Sequence, residues 1–70
     1  MKLDSIVINS NSGQVECGCS LNVQNNDFPV RFVLQESDLY NNAAANGNAS
    51  WENEDIVAVA KAQLNLDITL

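Results

Sequence analysis

The chain has 70 residues, nine acidic and three basic with no histidine, for a formal net charge of −6 at pH 7. An acidic chain is repelled by nucleic-acid phosphates and by anionic membrane surfaces, so direct binding to either is not expected, and a basic surface on another protein is the favoured partner. The 46% hydrophobic share is that of a globular protein. So short a chain buries only about 60% of the surface its unfolded form exposes, and oligomerisation is one usual source of added stability.

Residues 1–70 read as a single small α+β domain, beginning with three strands in a meander. The first, about Leu3 to Asn9, points Ile6 and Ile8 to one face. Nothing around Met1, Lys2 and Asp4 resembles a signal peptide, so the location expected is cytoplasmic, or host cytoplasm for a phage-encoded chain. The second strand alternates strictly: Val15, Cys17, Cys19, Leu21 and Val23 against Glu16, Gly18, Ser20, Asn22 and Gln24. The third places Phe28, Val30, Phe32 and Leu34 inward and Pro29, Arg31, Val33 and Gln35 outward.

Turn chemistry suggests registers. A Ser12-Gly13 turn pairs Ile8 with Cys17 and Ile6 with Cys19, so that apolar meets apolar on one face. A four-residue loop from Gln24 to Asp27 pairs Val23 with Phe28 and Cys17 with Leu34. It also leaves Pro29, which has no N–H to give, at a non-bonded outward position on an edge strand.

The second half is helical. Ser37 is the expected N-cap of a helix from Asp38 to about Ala45, stopped by Asn46-Gly47 as a left-handed C-cap. Ser50 is the expected cap of a second helix, Trp51 to about Gln63, with Ile56, Val57, Ala60 and Leu64 on one arc and Glu54, Ala58, Lys61 and Asn65 opposite. The longest apolar run, Ile56 to Ala60, is far short of the ~20 residues a membrane helix needs. Residues 64–70 alternate with period two, which favours a fourth strand flanking the first. The expected order is βββααβ, with the helices on one face of the sheet.

Each chemically suggestive feature has a structural counterpart. Cys17 and Cys19 share the apolar face of a strand. With no third cysteine and no histidine they fall short of a structural zinc set, and two parallel side chains on one strand are too far apart to bridge. The expectation is a pair of reduced core residues, with no metal and no cofactor. Gly18, mid-strand between Val7 and Val33 in the register above, marks a bulge, a gap closed by the two valines, or a partner's close approach. Val7 and Val33 are accordingly candidate contact residues on the outward face.

Glu52, Glu54 and Asp55 cluster beside Trp51. They either offer carboxylates to a basic partner or merely complement a helix dipole, worth about 0.3–1 kcal/mol each. Trp51 is either a core residue or an exposed contact anchor. Without histidine the commonest general base is missing, and no phosphate-binding or dinucleotide glycine motif is present, so no catalytic residue and no enzyme are expected. Size, charge and missing chemistry converge on a protein-binding module, an inhibitor or adaptor of the small acidic kind frequent among bacteriophage-encoded proteins. The alternative is a structural or assembly subunit, virion-type, that self-associates through its sheet.

Overall fold

The computed structural model describes residues 1–70 and orders them as β1 (Lys2–Asn9), β2 (Gln14–Val23), β3 (Asn26–Gln35), α1 (Glu36–Ala45) and α2 (Asn53–Leu64). The strands form one antiparallel sheet in the order β1-β2-β3. Both helices pack on the same face of it, so the protein is a small α+β domain. Val15, Cys17, Cys19 and Leu34 from the sheet meet Leu39, Ile56, Val59 and Ala60 from the helices, with Ile68 closing one side.

The inward faces are those the alternation predicts, but both hairpins pair two residues away from the expected registers. Ile6 lies opposite Cys17 and Ile8 opposite Val15. Leu21 lies opposite Phe28, and Cys17 opposite Phe32. A shift of two preserves the faces, which is why the core is the same in either register.

The loops explain the shifts. The first is four residues, Ser10 to Gly13. The Asn9 side-chain oxygen organises it by accepting the Asn11 and Ser12 amides at 3.1 and 3.3 Å, and Gly13 turns at φ +71°. The second is a two-residue turn, Gln24-Asn25, with both residues left-handed at φ 51° and 65°, the conformation that matches strand twist in tight hairpins. Counting outward from that turn, the Ser20–Pro29 pair is still a non-bonded one, so Pro29 costs no ladder bond.

Helix α1 starts at Glu36 and has no side-chain cap, rather than starting after a Ser37 cap. Its first amide instead donates to the Gly13 carbonyl at 2.8 Å, so the β1–β2 loop caps it. It ends as expected: Gly47, at φ +80°, donates to the Ala44 carbonyl and Asn48 to that of Ala43, the paired bonds of a Schellman stop. Helix α2 starts at Asn53 with Glu52, not Ser50, as its N-cap. Left-handed Asn65 ends it, with its amide on the Lys61 carbonyl.

Residues 65–70 do not form a fourth strand. They run beside β1, on the side the alternation predicts, but make a single parallel bridge, Lys2 with Thr69. The Thr69 amide donates to the Met1 carbonyl at 2.7 Å, and the Leu3 amide to that of Thr69 at 2.9 Å. Ile68 is buried by this contact while Leu64 and Leu70 stay exposed.

A ten-residue strand spans about 33 Å, whereas helices of ten and twelve residues reach only about 15 and 18 Å. The helices therefore cover only part of the sheet. The molecule measures 40 × 26 × 16 Å. No helix is long and apolar enough to cross a membrane.

Candidate functional site

The register shift rearranges the outward face. Val7, Glu16 and Val33 lie in one row across the three strands, and Ser5, Gly18 and Arg31 in the next. Glu16, not Gly18, therefore separates the two candidate valines, which are 58% and 46% exposed. The row lines a shallow depression of about 190 Å³ together with Ser5, Cys17, Arg31 and Phe32. An exposed carboxylate between two exposed aliphatic side chains can take a lysine or arginine: the apolar stem lies on the valines and the charged head reaches Glu16.

Gly18 is explained by its neighbours on β1. The pairing slips between Leu3 and Ser5, leaving Asp4 as the extra residue of a β-bulge opposite Gly18. The Ser5 hydroxyl sits where a Gly18 side chain would begin. Asp4 accepts a short hydrogen bond from the Ser20 hydroxyl, tying the bulge to β2. Of the three expected readings the bulge is correct, and the valines do not close over the glycine.

The acidic cluster divides. Asp55 is buried, at 6% exposure, and both its oxygens are engaged. Oδ2 accepts the Glu52 amide at 2.8 Å, which caps α2, and Oδ1 accepts the Asn42 side-chain amide at 2.7 Å, which fastens α1 to α2. It is a structural residue with no oxygen left to offer a partner. Glu52 and Glu54 remain exposed, beside Trp51 and the exposed Leu70 in a wide surface depression.

Trp51 is half-buried against the core, and its indole N–H donates to the Glu36 carboxylate at 3.2 Å. It joins the start of α1 to the approach to α2. The six candidate residues thus fall in separate places: Val7 and Val33 on the helix-free face, Trp51, Glu52 and Glu54 at the start of α2, and Asp55 inside.

The thiols face the core. Cys17 and Cys19 are both 2% exposed and free. Burial, and secondarily the neighbouring Cys19, pushes the Cys17 thiol up to about 11. Cys19 is also raised, first by burial and then by Asp4, against the opposing pull of the amino terminus. Thiols held protonated are poor nucleophiles at neutral pH. Every buried side-chain polar atom has a hydrogen-bond partner.

Comparisons with family models, curated proteins and solved structures give no match to this chain.

Proposed function

We propose that this chain is a small acidic protein-binding module, an inhibitor or adaptor without catalytic activity, that docks on a basic surface of another protein. The observation that carries the reading is the row Val7–Glu16–Val33 on the sheet face that no helix covers. A basic side chain lying there gains both apolar contact and an ion pair. Exposed Glu52 and Glu54 add to the negative field that steers such a partner without sharing the contact.

The test is affinity capture at low and high salt with the wild-type chain and a Glu16→Lys/Val33→Lys variant. The reading expects one basic protein to be held by the wild type, released by salt and lost by the variant, which stays folded although its two directly opposed like charges cost up to about 1 kcal/mol of stability. Equal capture by the two chains refutes it.

A further inference from the structure

The outer edge of β1 is open along most of its length. β1 is an end strand of the sheet, and residues 65–70 bond to its edge only from Met1 to Leu3. The non-bonded Ser20–Pro29 pair fixes the alternation across β2 and makes Ile6–Cys17 and Ile8–Val15 the non-bonded pairs of the β1–β2 ladder. The amides and carbonyls of Ile6 and Ile8 therefore point away from β2, two donors and two acceptors in line.

Edges of this kind are ordinarily guarded by proline, lysine, a bulge or an inward charge. Pro29 guards β3, and the Asp4 bulge lies beside the part of β1 that Thr69 already covers. The open stretch, Ser5, Ile6, Val7, Ile8 and Asn9, has no proline and no charge, and its three central residues are β-branched. Val7 and Ile8 are exposed on its opposite faces. Across the ladder, the one charged side chain on Gln14–Gly18 is Glu16, opposite Val7.

We infer, resting on the docking reading above, that Ser5–Asn9 is a strand-addition site at which an extended basic segment of the partner pairs its main chain with β1. An antiparallel strand there sets two residues opposite Ile6 and Ile8 on the helix side of the sheet, and the residue between them beside Val7 on the outward face. That middle position lies two strand spacings, about 10 Å, from β2. An arginine or lysine there lays its stem over Val7 and brings its head to Glu16. The segment this edge takes is therefore apolar, basic, apolar. Glu16 selects it over a second copy. The β1 strand of another copy could set only Ser5, Val7 or Asn9 beside this row, none of them basic, and its β3 carries Arg31 on an edge that Pro29 interrupts.

The experiment follows amide shifts and hydrogen exchange of the labelled chain with a short threonine-flanked valine–arginine–valine peptide at up to about 1 mM. Exchange of the Ile6 and Ile8 amides should slow roughly tenfold at saturation. Glu16→Gln should weaken binding about threefold, and glutamate in place of the peptide's arginine should weaken it further. N-methylation of either peptide valine, which removes a donor aimed at β1, should abolish binding. Ile8→Pro, which removes an edge donor without touching the β1–β2 ladder, should do the same in a chain that stays folded. Binding that moves Glu16 and Val33 but leaves the Ile6 and Ile8 amides exchanging freely, or that survives N-methylation, overturns strand addition and leaves the docking row standing. Protection indifferent to both Glu16→Gln and the peptide's arginine overturns the docking reading as well. The inference also falls if these amides gain no protection from the peptide, or if they gain it with rising protein concentration alone, which would make the occupant a second copy.

Discussion

Replacing Asp55 by alanine tests whether this carboxylate belongs to the fold or to a partner. The substitution removes both acceptor oxygens of a side chain 6% exposed. The Glu52 amide and the Asn42 side-chain amide, which donate to it at 2.8 and 2.7 Å, are left without a partner. Because Glu52 is exposed and Asn42 half-buried, water recovers part of each loss, so about 1 kcal/mol apiece is appropriate. Loss of a negative charge in the first turn adds up to about 1 kcal/mol. Asp55→Ala should therefore destabilise by about 2–3 kcal/mol, lowering the melting temperature by roughly 10–20 °C in a domain of this size. Asp55→Asn, which keeps one acceptor, should cost about half as much. Glu54→Gln, on an exposed neighbour, should stay within about 0.5 kcal/mol of wild type. Urea denaturation of the three variants supplies the values. An Asp55→Ala protein as stable as Glu54→Gln would refute the reasoning and return Asp55 to the pool of docking carboxylates.

Gly18→Ala brings its new carbon within 2.3 Å of the Ser5 hydroxyl but no closer than 3.4 Å to other atoms. The hydroxyl can rotate away, so the cost should be below about 1 kcal/mol and should vanish in a Ser5→Ala background, as denaturation of the single and double variants would show. The Cys17 thiol, raised from its ordinary 9.0 to about 11, holds its proton more tightly in the folded protein. Its contribution is complete below pH 9 and is lost as pH rises through 11. A fall on the order of 2 kcal/mol over that window should shrink in Cys17→Ala when denaturation is followed against pH. Gln24 at φ 51° is an uncommon occupant of a left-handed position. The paired substitution Gln24→Asn/Asn25→Gly, which gives the turn an asparagine followed by a glycine, should raise stability by about 0.5–1 kcal/mol, read from the urea midpoint.

Strand faces were legible because period two in Val15, Cys17 and Cys19 against Glu16 and Gly18 admits one inward side. Registers were not, because loop length decided them. The Asn9 side chain widened the first loop to four residues, and Gln24, a residue with no left-handed preference, took part in the second turn. The fourth strand failed although the outer edge of β1 is open: alternation in residues 64–70 is real, but α2 takes Leu64 and its left-handed cap takes Asn65, and the short remainder meets only the first residues of β1. The capping role of Asp55 had a local signal in its spacing of three from Glu52. Its burial had none, because Asn42 reaches it from thirteen residues away across the helix pair. Phe28, Leu21 and Val23 read as core because their alternation is that of core residues. Only the short reach of the helices leaves them bare. Glu16 entered the docking row solely through the corrected register.

The most direct measurement of the docking proposal is amide chemical-shift mapping of the labelled chain against the basic protein it captures. Perturbations should concentrate at Val7, Glu16, Arg31 and Val33, fade as salt is raised, and disappear in Glu16→Lys/Val33→Lys. Shifts confined to the start of α2 or to the β2–β3 ribbon, or a perturbation map indifferent to Glu16, would contradict it.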